Sequence, residues 1–145
     1  MSVTRTAIVA AARRWIGTPY LHQASLIGVG CDCLGLVRGV WREVLGDEPE
    51  AAQLYSPSWA EALKGELLLD GLTRHFAPVA LVDCRPGDVL TFRFREHLPA
   101  KHLAILASDT HMVHAHSGAC VAEVPLVDPW RKRLVVAFAF PGVID

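Results

Sequence analysis

The apolar residues of this 145-residue chain change their period once, near Arg85, and that change limits the folds open to it more than any other feature. Beyond it, apolar and polar residues alternate, with Leu90, Phe92 and Phe94 set against Thr91, Arg93 and Arg95. The runs His102–Leu106, His111–His116, Ala119–Val124 and Leu134–Phe140 follow, parted by turn residues at Arg85–Asp88, Ser108–Thr110 and Ser117–Gly118. Successive side chains of a strand point to opposite faces, so such runs predict an antiparallel meander. Before Arg85 the spacing is three and four, the period of helices that bury one face. Helices first and strands after predict an α+β chain, its N-terminal helices packed on one side of a C-terminal antiparallel β-sheet.

Ser2 or Thr4 is placed to cap a first helix through Trp15, with Ile8, Val9, Ala12 and Trp15 or Ile16 inward and Arg5, Arg13 and Arg14 outward. Gly17-Thr18-Pro19 ends it, and Tyr20 to Gly30 has no periodicity and reads as a loop. A buried helix then runs to about Leu45, on the spacing of Leu34, Val37, Val40, Trp41, Val44 and Leu45. Asp32 stands at its N-cap position and Gly46 at its stop. Residues 46–57 are irregular. Ser58 and Glu61 have capping-box spacing and open a helical region to about Phe76, with breaks possible at Gly65 or Gly71.

The cysteine inside the Asp32 cap carries the chemistry of this chain. A thiol in the first turn of a helix feels the positive end of the dipole, which stabilises its thiolate. Cys33 is therefore the candidate nucleophile and Cys31 its less favoured rival, while Gly28, Gly30 and Gly35 leave room for a substrate backbone. A nucleophilic thiol needs a base and a group to orient the base. His102 opens an apolar strand where a polar loop end belongs. If the turn at 108–110 has three residues, His116 falls opposite His102 and His114 opposite Ala104, so all three histidines share a face. A two-residue turn would flip that result. Three clustered histidines would also suit a metal, whereas His22, His75, His97 and His111 read as solvated.

A formal charge of −1, with 14 basic and 15 acidic residues interspersed, offers no field for nucleic acid or an anionic membrane. The composition, 52% hydrophobic and 20% charged, predicts one compact domain over residues 1–145. Thr6–Ala12 superficially resembles a signal peptide, but it is short, Arg13-Arg14 follows it, and no cleavage pattern comes next. No run has the length of a transmembrane helix, so no membrane insertion is expected. Synthesis in the bacterial cytoplasm without a signal peptide is the expectation. The four cysteines form no C-x-x-C pair and are expected as thiols.

Gly17-Thr18-Pro19-Tyr20, Asp32-Cys33-Leu34-Gly35-Leu36-Val37, Pro86-Gly87-Asp88-Val89, His102-Leu103-Ala104-Ile105 and Val113-His114-Ala115 occur in that order. The set resembles the NlpC-type family of papain-like cysteine peptidases, from about Arg14 to Phe140. Tyr20–Ser25 with Gly28–Val37 resembles in particular the branch encoded with phage tails and gene transfer agents. The resemblance implies a helical part holding the cysteine against a sheet holding the histidine. It implies hydrolysis of amide bonds in peptidoglycan stem peptides, commonly between D-γ-glutamate and a diamino acid, with no cofactor or metal.

Carried over by position, Cys33 is the nucleophile, His102 the base, His114 the residue that orients it, and Tyr20 and Asp32 line the substrate side. Leu34 stands where the family often has serine, which bears on the choice of stem peptide. The implied partners are the stem peptide and the proteins of a phage-like tail tip or hub, and the implied location is the tail tip of a virion or gene transfer agent. The 46–57 stretch and the tail Pro141–Asp145 are the expected docking surface. The rival readings are a structural tail-tip protein that has lost turnover, and a thiol acyltransferase of related fold.

Overall fold

The computed structural model describes residues 2–49 and 66–145. A short strand β1 (Val3–Thr4) leads into helix α1 (Arg5–Arg14), and a hairpin of β2 (Ser25–Leu26) and β3 (Gly30–Cys31) leads into α2 (Cys33–Leu45). After α3 (Leu67–His75) come β4 (Ala77–Val79), a helical turn at Leu81–Asp83, β5 (Val89–Phe92), β6 (His102–Leu106), β7 (His111–His114) and β8 (Ala122–Pro125). Helix α4 (Asp128–Arg131), β9 (Leu134–Ala139) and β10 (Val143–Ile144) complete the chain. Helices and an antiparallel sheet form an α+β architecture, as the change of period predicts.

The sheet has six strands in the order β4-β9-β5-β6-β7-β8, every pair antiparallel. The predicted meander holds from β5 to β8, and then β9 returns to lie beside β5. Strand β4 falls where a helix end and loop were expected. It is three residues long with Pro78 in its middle, an edge strand too short to show alternation.

One face of the sheet packs on the helices: Ile8, Ala12, Trp15, Leu36 and Val40 meet Leu103, Ile105, Val113 and Phe138. The other face has its own core of Leu90, Phe92, Leu106, Met112, Leu126 and Ala137. Strand β5 is consequently buried on both sides, against the half-polar strand its pattern predicts. Thr91 is fully buried, and its hydroxyl donates to Val136 O at 2.7 Å, which satisfies it. The strand also ends at Phe92, two residues earlier than the alternation suggests.

Thr4 rather than Ser2 caps helix α1, its hydroxyl accepting the Ala7 N–H at 3.0 Å. Trp15 is buried and Ile16 is exposed, which settles the end of its inner face. Arg5 does not point outward. It donates to the buried Asp88 carboxylate at 2.7 Å and to Pro86 O at 3.1 Å, pinning the 85–88 turn to the helix start. Its role is invisible locally because its partner lies 83 residues away.

Helices α1 and α2 approach closely because position 39 has no side chain. A Cβ on Gly39 would lie 2.0 Å from the Trp15 ring. Gly39→Ala should therefore destabilise the protein by about 1–3 kcal/mol through overpacking, even though alanine is the better helix former. Chemical denaturation of the two proteins checks this; a stabilised Gly39→Ala variant would mean the contact is looser than described.

The C-terminal tail is tied down through its backbone, while Ile144 within it stays 51% exposed. Strand β10 pairs in parallel with β1, with Val3↔Val143 and Thr4↔Ile144 in register. Of the other expected docking stretch, residues 50–57 lie outside the described residues, as do Ser58, Glu61 and Gly65. Glu48, within its described part, pairs with Arg38 and Arg42 of α2. Helix α3 runs through Gly71 without a break.

Candidate active site

Asp32 shapes the start of α2. Its backbone is extended, and its Oδ1 accepts the Gly35 N–H at 2.7 Å, one of the first-turn donors that no helical carbonyl reaches. Its Oδ2 accepts the Gln23 N–H, also at 2.7 Å. Gln23 is the one non-glycine among the described residues with positive φ, at 63°, a conformation that presents its N–H to the carboxylate. Asp32 is 1% exposed, so one carboxylate ties loop and helix together.

Two of the three glycines here serve the chain's own packing, whereas nothing lies within 4 Å of a Cβ on Gly28. A Cβ on Gly35 would lie 1.9 Å from Ala24 O, and one on Gly30 would lie 2.7 Å from Leu21 Cβ. The room expected for substrate at these two positions is filled by residues 21–24. The β2–β3 hairpin, in a stretch read as loop, carries that segment against the helix start. Tyr20 is held between two neighbours: its N–H donates to Ala119 O at 3.1 Å, and it bridges to Cys31 of β3.

On the sheet, the turn at 108–110 has three residues. Ile105 pairs with Val113 and Leu106 with Met112, the register under which His102, His114 and His116 share a face. His102 Nε2 lies 2.9 Å from His114 Nδ1, and both side chains are buried. His116 is exposed, its ring 5.6 Å from that of His102 and nearly parallel to that of His114 at 5.7 Å. His114, not His116, makes the hydrogen bond to His102. Among the described residues no group of three or more His, Cys, Asp or Glu is arranged to hold a metal ion.

The start of α2 abuts the head of β6. Cys33 Sγ lies 3.8 Å from the carbonyl oxygen of Lys101, the residue before His102. With Nε2 engaged by His114, the other His102 nitrogen, Nδ1, is the one left to exchange a proton with a thiol. Cys31, two residues back, has no exposed surface.

Burial sets the protonation states. It pushes His102 well below its ordinary 6.5, helped by the fields of His114 and His116. It takes His114 down to about 4, helped by His116. Burial, then Asp32 and Cys33, push the Cys31 thiol up to about 12, so it stays protonated. Burial, then Cys33, Asp32 and Cys31, raise the Tyr20 phenol to about 12, so it remains a neutral donor. At neutral pH the two histidines are uncharged, and one ring N–H shared with one lone pair makes their hydrogen bond.

Acid should therefore weaken the fold before the carboxylates titrate. Folding holds His102 and His114 below the pKa they have when unfolded, so the unfolded chain binds more protons under pH 6.5. Stability is complete above pH 6.5 and falls as the pH drops towards 4, the value to which His114 is lowered. Glu123, held down by its hydrogen bond to Arg13, loses its share only below the ordinary 4.5. Melting temperatures at pH 7.5, 6 and 5 should decline in that order; a flat series would contradict the buried neutral pair.

Sequence reasoning missed Trp130. Its indole stacks on His102 at 5.2 Å and 27° and meets the rings of His114 and His116 edge-on at 5.1 and 5.5 Å. It sits in a four-residue helix with no period, and nothing in Asp128-Pro129-Trp130 ties it to a histidine 28 positions earlier.

With this geometry in view, solved structures give a frame. The NlpC/p60 domain of the peptidoglycan hydrolase SagA superposes with a TM-score of 0.66 over 95% of this chain and 100% of that domain, at 21% identity. An NlpC/P60 family protein from Bacillus cereus superposes with a TM-score of 0.72 over 97% of this chain and 41% of its own, at 17% identity. The fold is that of NlpC/P60 domains. In sequence, probable endopeptidases of Mycobacterium tuberculosis and Mycobacterium bovis are 34% identical over 123 residues, 84% of this chain. The chain spans about a quarter of the length of those curated relatives, 26%. No protein-family model matches it. Among the described residues no helix is long and apolar enough to cross a membrane.

Proposed function

We propose that this chain is a cysteine endopeptidase that cuts amide bonds in peptidoglycan stem peptides. The observation that carries the reading is the buried His102–His114 hydrogen bond at the head of β6, with Cys33 Sγ at the start of α2 lying 3.8 Å from the carbonyl oxygen of Lys101, the residue before His102. The NlpC/P60 fold and the stretch shared with mycobacterial probable endopeptidases support it.

Cys33 is the nucleophile, His102 the base and His114 the orienting residue. Burial disfavours an imidazolium at His102, so the pair rests as thiol and imidazole and becomes charged as the reaction begins. The Cys33 proton passes to His102 Nδ1 while Sγ bonds to the amide carbon. Because Nδ1 must be unprotonated to take that proton, Nε2 carries the N–H from the start and donates it to His114 Nδ1 throughout, which fixes the tautomer and orientation of the base. The Cys33 N–H at the helix start receives the oxyanion. His102 returns its proton to the leaving amine, and water, deprotonated by His102, cleaves the thioester to a carboxylate and restores the thiol.

The bond is that between D-γ-glutamate and a diamino acid, a finer statement that rests on the motif resemblance. Tyr20 and Asp32 line the substrate side, with Asp32 already engaged by two N–H groups. Leu34 supplies no hydrogen bond where serine is common, so selection of the stem peptide's amino end falls to the other two. The chain works at the tip of a phage-like tail, opening the envelope as DNA enters; the resemblance of Tyr20–Ser25 and Gly28–Val37 to that branch supports this.

Incubation with purified sacculi and mass analysis of the released peptides tests the activity. Cleavage at the D-γ-glutamyl bond is expected, and release of no peptide would overturn the reading. Mass spectrometry of purified particles tests the location, which fails if the protein is found only free in the host.

A further inference from the structure

We propose that Trp130 is a positioning residue for the reaction, a fixed aromatic cover that holds the His102 ring in its working orientation and keeps water off the face turned from the helices. This rests on the assignment of His102 as the base.

Three observations carry it. The indole is the most nearly parallel of the rings around His102, at 27° and 5.2 Å, while Phe92 and Phe94 flank the imidazole at 5.6 and 5.9 Å. Trp130 in turn packs edge-on against Phe92 at 5.3 Å, so its plane is set by a side chain that is itself fully buried. Its helix is also anchored where such a short helix has little stability of its own. The Arg133 guanidinium bonds both Pro129 O and Phe94 O, and Arg93 N–H donates to Arg133 O at 3.0 Å. The cover is therefore tied to the chain that leaves β5 beside the base.

Stacking fixes the plane of the imidazole, and the His114 bond fixes its rotation within that plane. Together they leave Nδ1 one direction. Neither restraint suffices alone, because a single hydrogen bond permits the ring to tilt about its axis. The indole also contributes to the dryness that keeps His102 neutral at rest. Among the described residues, the titratable groups nearest His102 are His114 and His116 on and after β7, with Lys101, whose ammonium lies over the Phe94 ring at 5.8 Å, and Cys33 of α2, whose Sγ is 3.8 Å from the Lys101 carbonyl, beside it in the chain. Trp130 removes water from this group without adding charge to it.

The test reads the base directly and then through the thiol. In Trp130→Ala, His102 observed by NMR should titrate higher than in the wild type, because water reaches a ring it now cannot. The pH profile of Cys33 alkylation by iodoacetamide should move with it. Peptide release should fall in kcat by on the order of tenfold to a hundredfold with KM little changed, since the substrate side is untouched. Trp130→Phe keeps a flat ring and should restore most of all three, within about threefold of wild-type kcat. A melting curve separates unfolding from loss of positioning. Unchanged His102 titration and alkylation profile in a folded Trp130→Ala would overturn the proposal, as would a folded Trp130→Phe no better than Ala. If wild type releases no peptide while the titration and alkylation shifts occur, the peptidase reading falls and the role of Trp130 in setting the base stands.

Discussion

Cys33→Ala should abolish peptide release from sacculi, a loss on the order of a thousandfold or more, while the melting temperature changes little. The substitution removes one sulfur from the first turn of α2, and the Asp32 bonds to Gly35 and Gln23 that build this turn involve no atom of the thiol. Cys31→Ala should keep most of the activity. Its thiol is fully buried and pushed up to about 12, too high to supply a thiolate near neutral pH. The same pair of variants discriminates by labelling, since iodoacetamide should modify Cys31→Ala at position 33 and leave Cys33→Ala unlabelled at position 31. An active Cys33→Ala beside a dead Cys31→Ala would place the nucleophile two residues earlier.

His102→Ala should lower kcat by about 10²–10⁴-fold, the span of a lost general base. His114→Ala should cost less, because His102 retains its Nδ1 and loses only the partner that orders it. His114→Gln, whose side-chain carbonyl can still accept the Nε2–H, should recover part of the loss. Both histidines are buried, so each variant needs a melting curve beside its rate to separate a cavity from a missing proton carrier. A His114→Ala enzyme weaker than His102→Ala would reverse the two roles, and a Gln variant no better than Ala would mean that orientation is not what His114 contributes.

The contrast between these two histidines and Trp130 marks how far local pattern reaches. The register of β6 on β7 follows from the length of one turn, so local pattern offers the shared face of His102, His114 and His116 as one of two outcomes, and the three-residue turn of the structure selects it. Which of the two later histidines bonds His102 was not legible, because both lie on the right face and side-chain rotamers choose between them. The Asp32 cap and the helix to Leu45 were equally local: an N-cap satisfies N–H groups two or three residues on, and Gly46 ends the run. The buried face of that helix is wider than its spacing predicts, since Leu36, wholly buried, falls outside the stripe that runs through Leu34 and Val37.

By itself, then, the order of residues determined the helix and strand periods, the cap that sets Cys33 and hence the α+β class. Tertiary structure alone decided the place of β9 between β4 and β5, the pairing of the two chain ends through β1 and β10, and the burial of both faces of β5. It also turned Arg5 inward to Asp88, filled the space at Gly30 and Gly35 with the chain's own loop, and laid Trp130 on His102. The physical reason is the reach of the interactions. Caps, turns and periodicity act over a few residues and are written in neighbouring side chains. The contacts between distant segments depend on which apolar faces and which unsatisfied donors remain once local structure has formed, and that choice exists only in three dimensions.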